Sequence, residues 1–120
     1  MQLGMLAHRL LIVDDEPAVL DLLRRYLERL GYSVDVAPSG EAALEIFQSD
    51  PERFDLVITD LNLPAMGGEE LLLRMRQRKP FLRALISSGY PHQPRLPDVG
   101  FLLKPYLPKM MVEAIHQLLK

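Results

Sequence analysis

The sequence predicts a doubly wound α/β domain, a parallel sheet of five strands covered by helices on both faces. Short, continuous apolar runs alternate along the chain with segments whose apolar residues recur every three or four positions. Strands that alternate with helices pair in parallel, through right-handed crossovers that lie on both faces of the sheet. At 120 residues, 48% hydrophobic and 25% charged, the chain has the length and balance of one globular domain.

Leu10-Leu11-Ile12-Val13 is the first strand, apolar throughout and so buried on both faces. Pro17 suits the first turn of a helix, Leu20, Leu23, Leu27 and Leu30 form its inner face, and Gly31 stops it. Ser33-Val34-Asp35-Val36-Ala37 alternates, as an edge strand does. Ser39 is placed to cap a second helix whose inner face is Ala43, Leu44 and Phe47. Asp55 to Thr59 is a third strand, and Gly68 to Arg78 a helix with Leu71, Leu72 and Met75 inward. Leu82 to Ser87 and Gly100 to Leu103 are the fourth and fifth strands. Met111, Ala114, Ile115 and Leu118 mark one face of a C-terminal helix. Five strands in this arrangement fit the flavodoxin-like order 2-1-3-4-5. Residues 9–120 form the domain, with 1–8 as an N-terminal extension.

The connection between strands four and five breaks the pattern. Only eleven residues, Gly89 to Val99, separate Ser88 from Gly100, and Pro91, Pro94 and Pro97 recur among them every three residues. Each proline lacks an amide donor and disfavours helix in the residue before it. The expectation is a crossover whose helix is missing or shortened to a single turn.

Composition removes several classes of function. Without cysteine there is no disulfide framework, thiolate metal site or cysteine nucleophile. No apolar run approaches the roughly 18–20 residues that span a bilayer, and Met1 to His8 lacks a signal-peptide core, so membrane insertion is not expected and a cytoplasmic location is. Neither glycine-rich phosphate-loop motif occurs. Ser87-Ser88-Gly89 has Leu85 where a nucleophile elbow needs glycine, and none of His8, His92 and His116 is placed as a triad base. The basic cluster Arg74, Arg76, Arg78, Lys79 and Arg83 reads as a solvated helix end favoured by the helix dipole, so direct nucleic-acid binding is not expected. Net charge is -2, but residues 1–60 carry 5 basic against 12 acidic side chains and residues 61–120 carry 9 against 4. That split favours a cation or phosphate site in the acidic half.

The polar residues at the strand ends locate such a site. The first strand ends in Asp14-Asp15, the third in Asp60, the fourth in Ser87-Ser88 and the fifth in Lys104. In a parallel sheet these ends share one edge, and strands one and three meet at the switch point where such folds bind ligands. Three close carboxylates repel, and a hard divalent cation with open water positions, Mg²⁺, relieves the repulsion. Lys104 brings the sum near neutrality and leaves room for a phosphoryl group. Asp60, on the central strand, is the natural nucleophile for an aspartyl phosphate.

Leu11-Ile12-Val13-Asp14-Asp15-Glu16-Pro17, Asp60-Leu61-Asn62-Leu63-Pro64-Ala65-Met66-Gly67-Gly68, Ser88-Gly89-Tyr90 and Phe101-Leu102-Leu103-Lys104-Pro105 together resemble the receiver domain of two-component response regulators, the CheY-like family, from about Arg9 to Leu119. The resemblance implies transfer of a phosphoryl group to Asp60 from a phosphohistidine on a sensor kinase or phosphotransfer protein, a signalling rather than an enzymatic role. It implies Mg²⁺ held by Asp14, Asp15, Asp60 and the Asn62 backbone carbonyl, Lys104 on the phosphoryl oxygens, Ser88 and Phe101 as coupled switch residues, and a cis bond before Pro105. The chain departs from the family pattern at Gly67 (usually Asp) and Leu63 (commonly Met), and its Ser88–Lys104 segment is short. A stand-alone receiver and a piece of a hybrid histidine kinase both fit, and oligomeric state stays open. The alternative function is a receiver-like interaction module that is never phosphorylated.

Overall fold

The computed structural model describes residues 8–120 and arranges β1 (Arg9–Val13), β2 (Ser33–Ala37), β3 (Leu56–Asp60), β4 (Arg83–Ser88) and β5 (Val99–Leu103) in one sheet. The order is β2-β1-β3-β4-β5 and every pairing is parallel. The helices are α1 (Pro17–Arg29), α2 (Gly40–Ser49), α3 (Gly68–Arg76) and α4 (Pro108–Leu119), with a 3₁₀ turn at Pro51–Arg53. Apart from His8, the extension expected at residues 1–8 lies outside the described residues.

Alternation along the strands divides the core in two. Leu11, Val13, Val57, Ala84 and Ile86 face α2 and α3, where Phe47, Leu71, Leu72 and Met75 meet them. Leu10, Ile12, Ile58 and Leu85 face α1 and α4, against Leu23, Leu27, Met111 and Ile115. Phe47 and Phe54 are fully buried and stack with ring centroids 6.0 Å apart, which anchors α2 to the loop that enters β3. Burial of one such side chain stabilises the fold by about 1.5–3 kcal/mol.

The helix ends follow local chemistry. Pro17 opens α1, and Gly31 leaves it with φ 101°, a conformation glycine adopts without cost. Ser39 Oγ accepts the Ala42 amide, so the expected cap is present. At α3 the end comes at Arg76, two residues before the expected Arg78, because the Gln77 and Arg78 amides bond only three residues back, to the Arg74 and Met75 carbonyls at 3.2 and 3.0 Å. The basic cluster there is only partly solvated, contrary to the expectation. Arg76 gives Nε and an Nη to the Leu82 carbonyl at 3.0 and 2.8 Å, and Lys79 Nζ reaches the Phe54 carbonyl at 2.6 Å. Both cations satisfy loop carbonyls that no strand pairs.

The two sheet edges differ. On β2, Asp35 is held by Arg9 at 3.4 Å and by Arg53 at 3.2 Å. On β5, Val99–Leu103 carries no charged side chain. Between β4 and β5 the chain passes from Gly89 to Asp98 without a helical residue. The crossover helix is missing, as the prolines required.

Candidate functional site

The carboxyl ends of β1, β3, β4 and β5 meet at one edge, and the groups expected there are brought together. Asp14, Asp15 and Asp60 can each offer a carboxylate oxygen within 4.8 Å of the others. Asp14 is buried and Asp15 exposed, with Asp60 between them. Lys104 Nζ stands 3.6 Å from Asp14 Oδ2 and 3.4 Å from Asp60 Oδ2. The site is therefore a carboxylate triad with one ammonium, short of neutrality by two charges.

Each side chain is aimed by its own backbone. Asp14 donates its amide to the Ala37 carbonyl at 3.2 Å, while its Oδ1 accepts the Glu16 amide at 2.9 Å, closing a turn from β1 into α1. Asp60 is the last residue of β3, registered opposite Ser87, and the Leu61 amide continues to the Ser87 carbonyl at 2.8 Å. The Lys104 amide reaches the Ser88 carbonyl at 2.7 Å, and the Lys104–Pro105 bond is cis. Ser88 is fully buried, and its Oγ accepts the Tyr90 amide at 3.2 Å. Asn62 is exposed, and its Nδ2 donates to the Tyr90 hydroxyl at 2.8 Å. Phe101 is half-buried on β5 opposite Ile86.

Burial raises the Asp14 carboxyl above its ordinary range; the Glu16 amide and Lys104 pull it down, while Asp60 and Glu16 push it up. Burial thus makes the Asp14 charge costlier than in water, a cost that a bound cation would offset.

Two residues of the site were given no role there from the sequence. Tyr106 lies beside Lys104, and its hydroxyl is pushed up to about 12 by burial and by the charges of Asp14 and Asp60. A phenol carries no periodicity signal, so nothing announced it. Gly68 is the other: a Cβ there would fall 2.5 Å from the Asp60 carbonyl oxygen, so α3 begins in direct contact with the site backbone. Gly67, by contrast, stands at the helix N-cap with φ -68° and no side chain to cap it.

Next to the carboxylates is an open apolar groove of about 650 Å³, lined by Val19, Leu22, Leu23, Lys104, Pro105 and Tyr106 among others. Leu22 is 62% exposed on its rim.

Residues 10–116 match the family model of the response regulator receiver domain. The chain belongs to that family. It is 34% identical over 116 residues to the sensor kinase CckA of Brucella abortus (strain 2308), covering 92% of this chain and 12% of that protein. Against the alkaline phosphatase synthesis transcriptional regulatory protein PhoP of Bacillus subtilis (strain 168) it is 30% identical over 118 residues, covering 93% of this chain and 48% of the other. The chain thus spans half or less of the length of these relatives. The receiver domain of the hybrid histidine kinase CckA superposes with a TM-score of 0.85 at 35% identity, covering 93% of this chain and 99% of that one. The response regulator TrrA of Thermotoga maritima, solved in complex with Mg²⁺-BeF, gives 0.81 at 32% identity, covering 92% and 98%. The receiver fold and a phosphoacceptor receiver function in two-component signalling follow for this chain. Among the described residues no helix is long and apolar enough to cross a membrane.

Proposed function

We propose that Asp60 is the phosphoacceptor and that residues 9–120 form a receiver unit driven by a phosphohistidine on a sensor kinase or histidine phosphotransfer protein. The carboxylate triad facing Lys104 at the end of β3 carries this reading. A carboxylate oxygen of Asp60 attacks phosphorus as the N–P bond of the phosphohistidine breaks, and the imidazole leaves with that electron pair. Lys104, already 3.4 Å from Asp60, stays with the transferred oxygens and offsets their charge. The buried Ser88 hydroxyl follows the phosphoryl group, and Phe101 responds on the neighbouring strand.

The donor set fits a hard divalent cation, since it offers only oxygen and gathers three carboxylates, the most buried of them carrying a desolvation cost that a cation would offset. Asp14, Asp15, Asp60 and the Asn62 carbonyl would hold Mg²⁺, as the Mg²⁺-BeF complex of TrrA supports by likeness. Bound there, Mg²⁺ supplies charge neutralisation and a template for in-line transfer. The apolar groove beside Lys104 is the ground on which a protein donor docks, with Leu22 as an exposed contact. Signalling in this reading takes place in the cytoplasm, through proteins and not through nucleic acid.

The test is intact mass after incubation with Mg²⁺ and a small phosphodonor. The wild type gains one phosphoryl group, and Asp60→Asn does not. A wild type that stays unmodified under conditions that phosphorylate a control receiver returns the chain to the unphosphorylated interaction module.

A further inference from the structure

The ten residues from Gly89 to Asp98 join β4 to β5 without a helix, yet they are fastened along their length. At the start, the Tyr90 amide donates to Ser88 Oγ and the Tyr90 hydroxyl accepts from Asn62. In the middle, one carboxylate makes two attachments. Glu69 Oε1 takes His92 Nε2 at 2.7 Å and Glu69 Oε2 takes the Arg95 amide at 2.7 Å. A carboxylate has no hydrogen to give, so His92 Nε2 is the donor in either charge state. The His92 ring then lies against Phe101, with centroids 6.4 Å apart and planes tilted by 51°. Leu96 packs on the core, and Asp98 turns the chain into β5 with φ 57°.

Glu69 suits this task. It sits in the first turn of α3, where the helix dipole favours its charge. Its side chain is 21% exposed and that of His92 23%, so water weakens the pair less than it weakens a surface ion pair. The interleaved prolines leave a detached loop little freedom to gain, so a few bonds order all ten residues. The first fasteners, meanwhile, fall on Ser88 and Asn62, both members of the proposed phosphoryl site.

We infer that Glu69 is a positioning residue that straps the crossover to α3 in the unphosphorylated protein, and that phosphorylation loosens the strap by drawing Ser88 away from the Tyr90 amide. The inference rests on Asp60 as phosphoacceptor. His92 then links the two movements, because it touches Phe101 on one side and Glu69 on the other. The strap stands in place of a crossover helix, and it carries the signal as a change in attachment. Coupling of this kind is reciprocal: whatever the phosphoryl group does to the strap, release of the strap does to phosphoryl binding.

The experiment reads amide hydrogen exchange at Tyr90 and Arg95 by NMR on the full chain, with and without Mg²⁺ and beryllium fluoride. Wild type, Glu69→Ala and Glu69→Gln are compared. Without the analogue, Glu69→Ala speeds exchange at Arg95 by about ten- to a hundredfold, the scale of one charge-assisted hydrogen bond. Glu69→Gln keeps an acceptor oxygen for the Arg95 amide, while its NH2 donates to His92 Nε2 once the ring proton sits on Nδ1, so protection at Arg95 is largely restored. With the analogue, exchange at both amides rises in the wild type, and Glu69→Ala binds the analogue severalfold more tightly. A purely structural Glu69 would leave that affinity unchanged or weaken it, and either result overturns the inference. So does unchanged wild-type exchange at Arg95 in protein that intact mass shows to be phosphorylatable. Protein that cannot be phosphorylated at all overturns the reading of Asp60, and the strap's role with it.

Discussion

Gly67 and Gly68 are neighbours at the start of α3, and they should answer the same substitution in opposite ways. Helix propensity alone predicts that Gly68→Ala stabilises the protein by up to about 1 kcal/mol. The contacts predict the reverse. The new methyl would lie 2.5 Å from the Asp60 carbonyl oxygen and 3.2 Å from the Leu61 Cα, both backbone atoms, where ordinary contact begins at 3.4 Å. Neither can swing aside, so α3 or the end of β3 must move by several tenths of an ångström. Overpacking of this kind costs about 1–3 kcal/mol, which matches or outweighs the propensity gain and leaves a net loss of up to roughly 2 kcal/mol. At Gly67 the nearest atom to a new Cβ is the Leu61 carbonyl oxygen at 3.5 Å, and φ is an ordinary -68°. Gly67→Ala is therefore near neutral, and Gly67→Asp gains a few tenths of a kcal/mol by capping α3. Urea denaturation at constant m-value measures both. Because the displaced carbonyl belongs to Asp60, the proposed phosphoacceptor, Gly68→Ala also slows phosphorylation by about tenfold or more, read by intact mass over time. A Gly68→Ala protein as stable as the wild type, with normal phosphorylation, would refute the close-contact reasoning.

The other predictions test the site. The raised Asp14 carboxyl means that the folded protein holds more protons than the unfolded chain just above the ordinary value of 3.8, so this group lowers stability as pH rises through that window. Asp14→Asn removes the effect: in chelator at neutral pH it is more stable than the wild type, and the gap closes toward pH 4, as urea midpoints across pH will show. Saturating Mg²⁺ reverses the ranking, since ligand at a hundred times its Kd adds about 2.7 kcal/mol only where the site is intact. Leu22→Glu puts a charge on the apolar groove, and it raises KM for a protein phosphodonor by about tenfold more than it alters reaction with a small one; equal effects on both donors would remove Leu22 from the docking ground. Phe47→Ala opens a cavity under α2 and costs about 3–5 kcal/mol in thermal or urea unfolding.

The site was readable because its residues sit at ends of apolar runs. Asp14 and Lys104 directly follow β1 and β5, Asp60 and Ser88 are the last residues of β3 and β4, and parallel pairing carries all four ends to one edge whatever the loops do. The missing crossover helix was readable for a local reason too, since Pro91, Pro94 and Pro97 forbid it by backbone chemistry alone. What escaped depends on distant partners. Glu69 meets His92 and Arg95 across 23 and 26 residues, and no spacing rule relates them. Arg76 and Lys79 resembled a solvated helix end because their acceptors are the carbonyls of Leu82 and Phe54, which no side-chain pattern reveals. The 3₁₀ turn at Pro51–Arg53 was passed over because three residues are too few to show a period.

The unequal edges of the sheet bear on how the protein behaves when crowded. Any open edge presents unpaired amides and carbonyls to a passing strand. On β2 an intruder must displace the two arginines gathered round Asp35 or lie against their charge, and both discourage stacking. Edge β5, with the run Val-Gly-Phe-Leu-Leu, has no such guard along its length, and the charge and proline that discourage pairing, Lys104 and Pro105, come only just beyond its end. Misassociation at high concentration therefore begins at β5, and a charged residue at the exposed Leu103 is the change that would improve solubility with least disturbance to the core.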